Sequence, residues 1–270
     1  MRGRGLLYAA LAAGAFLTTY PFIWMSTASF KDRQESRELT LSLLPEEWLW
    51  ENYIETFQAA PFGIYFFNSF LVAGTVTAAV VLTSLMAGYA FARLDFAGRG
   101  PVFALLLATM MIPFEATLIP NFVLISKLGW YNTYPALIVP WCANAFSIFL
   151  MRQAFLSLPN DYFDAARIDG CGHLRFLFTV GAPLVKPMVV TVALFAFLGS
   201  YNALVWPLVV TGDERMRVVQ VGLTAFSVAD GVRVNLLMCA SVIVIFPTVA
   251  LYFAAQRYFL DGSWTSGLKG

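Results

Sequence analysis

Residues 157–187 read SLPNDYFDAARIDGCGHLRFLFTVGAPLVKP, a polar, punctuated stretch set between two long apolar runs. Its first half, Asn160 to Asp169, has the marks of a short helix: Pro159 in the opening turn, acids near the start and Gly170 as the stop. At ~1.5 Å per residue such a helix is about 15 Å long, too short to cross a bilayer and flanked by charges that would not enter one. The stretch therefore lies outside the membrane, between spans.

The surrounding composition makes those spans. Of 270 residues, 59% are hydrophobic and 12% charged, against ~25% charged in soluble domains. The net charge of +1 and the scattered basic residues leave no nucleic-acid footprint. Cys142, Cys171 and Cys239 are far apart and lack CxxC spacing, so they read as small buried hydrophobes rather than disulfides or metal ligands. His173, the single histidine, reads as a local hydrogen-bonding group.

Working outward, six apolar segments are expected to span at about 5–28, 66–92, 101–126, 135–151, 188–210 and 236–256. The first is too long for the centre of a cleavable signal peptide. The second is rich in small residues (Ala73, Gly74, Ala78, Ala79, Ala87, Gly88), which let membrane helices approach closely. Pro113 and Pro120 interrupt the third, and Pro140 lies in the fourth. The polar segment 29–65, with Pro45, Trp48 and Trp50, suits a structure resting at the membrane interface. With an inward N-terminus, ten Lys and Arg fall on one side and seven on the other, and the short loop Leu94 to Gly100 is basic. Both termini and the loop 152–187 are placed in the cytoplasm, and 29–65 outside.

Polar groups within spans are costly and default to functional candidates. They are Asn68, Glu115, Asn121, Asn144 and Asn202. Glu115 follows Pro113 and could line a path, answer backbone donors freed by a kink, or sit at the outer interface. Asn202 is read near the middle of the fifth span, where bonding to a neighbouring helix competes with contact to a solute. No GxSxG, HExxH, GxxxxGK[ST] or GxGxxG motif occurs. Ion-coupled carriers and proton pumps usually keep several ionisable residues at midplane, whereas this chain offers Glu115 alone. Energy for transport must then enter from elsewhere, and a rigid short helix between spans is suited to receive it. A stand-alone secondary carrier or channel is the alternative reading.

DAARIDG at 164–170 followed by VGAPLVKP at 180–187 resembles the EAA loop of binding-protein-dependent ABC importer permeases. The resemblance extends along the chain: YPFIWMSTASFK near the start, NSF at 68, GYAFARLDFAGR at 88, MMIPFEATLIPNFVLISKLGWYNTYPALIVP at 110, FLMRQAFLSLP at 149, VGLTAF at 221 and TSGLKG at the end. It is similar to the carbohydrate, maltose-type branch and its six-span second permease.

The resemblance implies an all-α integral membrane protein with the type I ABC importer permease fold, in a bacterial or archaeal cytoplasmic (inner) membrane. It implies a non-catalytic subunit partnered by a second permease, two cytoplasmic ATPases that bind the ATP and Mg, and an extracytoplasmic solute-binding protein. It makes the short helix a coupling helix, with Asp164, Ala165 and Ala166 facing a groove on the ATPase and Asp169 and Gly170 ending the helix. Such a lever needs anchoring at both ends, and Pro183 and Pro187 are expected to fix its exit into the fifth span. Asp164 stands where the family usually has Glu, one methylene longer, and Ala182 where Leu is common before proline. Thr265 to Gly270 resembles a tail that reaches toward the ATPase dimer. Glu115, Asn144 and Asn202 remain candidates for the path, and no metal or cofactor is expected in this chain.

Overall fold

The computed structural model describes residues 2–37, 42–228 and 231–264, so the tail 265–270 lies outside the described residues. The regular structure of the described residues is helical apart from a two-residue-per-strand hairpin, β1 (Ser227–Val228) paired antiparallel with β2 (Gly231–Val232). Three helices are long and apolar enough to cross a membrane: Leu7–Ala28 within α1 (Arg2–Ala28), α3 (Phe62–Arg93), and Val234–Gln256 within α14 (Val234–Trp264). Three bent pairs, each counted as one span, bring the number to six.

Each bend has a local cause. α4 (Arg99–Thr109) and α5 (Phe114–Lys127) meet at 97°, with Pro113 in extended backbone as the cap of α5. α6 (Tyr134–Ile138), prolonged as a tight turn to Trp141, meets α7 (Ala145–Leu156) at 42° across Cys142 to Asn144. Pro140 sits in that turn. The segment that opens with α9 (His173–Phe176), widens through a π turn at Leu177–Gly181 and ends in α10 (Ala182–Leu184) meets α11 (Lys186–Tyr201) at 86°. Pro187, lacking an N–H, sits in the first turn of α11, where that donor is spare.

The fifth span is not the single helix 188–210 read from hydropathy. α11 stops at Tyr201, and α12 (Val205–Val210) begins afresh. Pro207 is the reason: in a continuous helix its ring would strike the carbonyl of Ala203. Asn202 is consequently the C-cap of α11, its N–H donating to Leu198 O at 3.0 Å, and not an interior residue of one continuous helix.

The chain divides into two compact units. In the first, 1–63 with 219–249, α2 (Glu51–Ala59) and the turn α13 (Val219–Gly222) accompany the long helices. Asn52 is buried, and its amide donates to the carbonyls of Ser29 (2.9 Å) and Lys31 (2.8 Å) just past α1. Lys31 is itself buried, its ammonium held by Ser42 O at 2.7 Å and Glu35 at 3.3 Å. Phe30 packs among Trp48, Trp50 and Tyr53. Trp48 and Trp50 remain largely exposed. Cys239 is buried with its thiol on Ser29 O, whereas Cys142 and Cys171 are only half-buried; all three are free.

In the second unit, 64–218 with the chain from 250, α3 and α7 cross at Gly88. A Cβ there would lie 2.8 Å from Met151 Cβ and 2.9 Å from Arg152 N, so only glycine permits this approach. Asn68 is a clip: its amide donates to the carbonyls of Arg215 and Arg217 (2.8 and 2.9 Å) and accepts from Tyr134 Oη at 2.7 Å. That bonding accounts for a buried amide in an apolar helix without calling on a solute.

Candidate functional site

α8 (Asp161–Ile168) is the short helix of the opening stretch. Its first turn carries Asp161 and Asp164 at the positive end of the helix dipole, and Arg167 lies in the last turn. Pro159 stands outside the helix, and Asn160 occupies the cap position. The Asn160 side chain makes no cap bond, because its Oδ1 instead accepts from Arg93 at 2.6 Å.

The helix ends as its glycine predicts. Gly170 has φ +72°, its N–H donates to Arg167 O (3.0 Å), and Cys171 N–H reaches back to Ala166 O (2.9 Å). This is the paired closing pattern that a left-handed residue allows. Gly170→Pro removes a donor and cannot take the positive φ, so we expect this helix end to open, measured as faster hydrogen exchange at the Cys171 amide.

No residue of α8 is fully buried. Phe163 and Ala166 are half-buried on its inner side, while Asp161, Tyr162, Asp164, Ala165 and Ile168 are exposed, Ile168 at 86%. Asp169, Gly170 and Pro183 are also exposed. The inner side is held by residues to which the sequence assigned no role at this site. The Phe163 ring lies 4.5 Å from that of Phe176, and the Arg93 guanidinium sits 3.9 Å over its face. Tyr89, one turn before Arg93 on α3, packs against Phe155, Phe163 and Phe176. Its hydroxyl pairs with Nδ1 of His173 at 2.8 Å, so the single histidine is a hydrogen-bonding group as expected, but with a partner 84 positions away and not a local one. A cavity of about 330 Å³ opens beside this cluster, lined by Arg93, Asp95, Asn160, Asp164 and Arg167 among others. The available signal was the spacing of Tyr89 and Arg93, four apart on one face at the end of an apolar helix.

The candidates for the path are not brought together. A second cavity of about 440 Å³ is walled mainly by apolar and aromatic groups, including Val72, Val76, Trp141, Phe146, Phe195 and Trp206. Asn144 lines it, yet its Oδ1 caps α7 by accepting from Ser147 N at 2.9 Å. Asn202 and Glu115 are exposed and lie outside that wall, Glu115 in the first turn of α5. Among the described residues no group of His, Cys, Asp and Glu is arranged to hold a metal ion.

Comparison with known proteins agrees with this architecture. The family described as binding-protein-dependent transport system inner membrane component matches residues 79–260. The chain is 36% identical to the arabinooligosaccharides transport system permease protein AraQ of Halalkalibacterium halodurans, covering 98% of this chain and 96% of that one. It is 30% identical to the sn-glycerol-3-phosphate transport system permease protein UgpE of Yersinia enterocolitica, covering 93% and 92%. It is 32% identical to the diacetylchitobiose uptake system permease protein NgcG of Streptomyces coelicolor, covering 98% and 89%. Among solved structures, a chain of a bacterial ABC transporter that imports the acidic polysaccharide alginate superposes with a TM-score of 0.85 at 24% identity, covering 96% and 97%. These likenesses identify a multi-pass, all-α transport permease fold. The chain belongs to the binding-protein-dependent transport system inner membrane component family.

Proposed function

We propose that this chain is the transmembrane permease subunit of an ATP-driven ABC importer for a carbohydrate or related solute, and that α8 is its coupling helix. The observation that carries the reading is an exposed short helix fastened on its inner side to a membrane helix, in a member of this family. The importer comprises a second permease, two cytoplasmic ATPases and an extracytoplasmic solute-binding protein. ATP and Mg belong to the ATPases, and this chain has no catalytic role. Both termini and the loop 152–187 face the cytoplasm. Asp164 and Ala165 contribute to the docking surface, while Ala166, expected there with them, is half-buried on the inner side and backs it; Asp169 and Gly170 end the helix, and Pro183 helps set the turn into α11. ATPase closure moves α8, and the spans respond by exchanging inward and outward openings.

The names of the relatives supply the solute panel: arabino-oligosaccharides, sn-glycerol 3-phosphate and diacetylchitobiose. In liposomes holding the assembled importer, one of these classes is expected to accumulate only with ATP and the binding protein present. Uptake by this chain alone without ATP would replace the reading with that of a stand-alone carrier. A reporter fused after Gly172 is expected to register cytoplasm, and an external signal there would reverse the orientation.

A further inference from the structure

We propose that Arg93 is a positioning residue that fastens α8 to the C-terminal end of α3, so that the two helices move as one body; this rests on α8 being the coupling helix. An eight-residue helix bounded by turns does not hold its place by its own hydrogen bonds. Something outside it must fix its position.

Arg93 does so at three places at once. Its NH2 donates to Phe155 O (2.7 Å) and Leu158 O (2.6 Å), at and just beyond the end of α7, and its NH1 donates to Asn160 Oδ1 at the start of α8. A cation is favoured at a helix C-terminus, and these charge-assisted bonds are short. The guanidinium plane also covers the Phe163 ring. Nε is buried without a hydrogen-bond partner, so the side chain carries a desolvation cost that the three bonds and the ring offset. Lysine offers neither the fork nor the plane. Tyr89, on the same face of α3, makes a second attachment beyond Gly170 through His173.

Fastened this way, a displacement of α8 is delivered to α3 and not absorbed in the loop. Without Arg93 the docking face survives, but its motion is no longer tied to the membrane helix. The test places spin labels at Leu82 on α3 and Ile168 on α8, both exposed in this chain by itself, and reads them in the assembled importer with the native cysteines replaced by alanine. Pulsed electron resonance is then read in the nucleotide-free and ATP–vanadate-trapped states. The parent is expected to show one narrow distance in both states, and Arg93→Ala a distribution about twofold broader. In the same complexes, solute carried per ATP hydrolysed is expected to fall roughly tenfold, a ratio that lower assembly alone would not move.

Arg93→Lys and Asn160→Ala provide the same reading should Arg93→Ala fail to assemble. Both are expected to broaden the distribution, and parental widths in both would overturn the proposal, as would a parental width in an assembled Arg93→Ala complex. A broadened distance with an unchanged ratio of solute to ATP keeps the fastening and removes the coupling role of α8.

Discussion

Ala165→Arg is expected to abolish ATP-driven uptake and solute-stimulated ATP hydrolysis in the assembled importer, while the chain inserts at its normal level. The two halves of that result have separate physical origins. Ala165 is exposed on α8 and stands away from the Phe163 cluster, so the substitution changes the chain's own stability by no more than ~0.5 kcal/mol. Against a docking partner the same side chain brings a long stem and a charge that must be desolvated. Burying such an unpaired charge costs about 3 kcal/mol, roughly a hundredfold in affinity. Purified complexes would be assayed for binding-protein-stimulated ATP hydrolysis. Parental stimulation in an assembled Ala165→Arg complex would remove α8 from the coupling role.

Gly88→Val carries the largest expected loss of stability. The groups facing a Cβ at this position include the backbone of Met151 and Arg152, within 3.0 Å. A flexible side chain can turn aside; a helix backbone cannot. α3 and α7 must then separate, at a cost of about 3 kcal/mol by comparison with overpacked cores. The natural control is Gly74→Ala on the same helix, where a Cβ meets nothing within 4 Å. Removing that glycine favours the helix by up to ~1 kcal/mol. Thermal unfolding followed by size-exclusion in detergent should show a markedly lower midpoint for Gly88→Val and an unchanged or higher one for Gly74→Ala. Equal midpoints would mean that the crossing is not held at Gly88.

The contrast between those glycines marks how far the sequence could be read. Composition and hydropathy were enough to place apolar segments and the short polar helix between them, because bilayer thickness and helix rise limit the alternatives. The same reading grouped Ala73, Gly74, Ala78, Ala79, Ala87 and Gly88 as a single class of small residues. Only the structure distinguishes Gly88, pressed on a neighbouring backbone, from Gly74 in open space. Spacing along one helix does not state which face another helix will meet.

Polar residues within the apolar runs show the second limit. Asn68, Asn144 and Asn202 share a composition signal but have different places: a clip on two carbonyls, a helix cap and a helix end. Helix breaks decide two of the three, and the break before α12 depends on Pro207, five residues beyond Asn202. Arg93 was visible as a charge at the end of an apolar helix, which is enough for counting sides. Its bonds reach residues 62 to 67 positions away, and no local pattern encodes that distance.

The packing beneath α8 has a final consequence for assembly. Phe163, Phe176, Tyr89 and Arg93 are already in contact within this chain. A partner arriving at the outer face therefore meets a surface whose shape is set beforehand. Little ordering entropy remains to be lost in the encounter, so more of the contact free energy is available for affinity. Recruitment of the partner should accordingly behave as rigid-body docking, with binding curves that show no folding step.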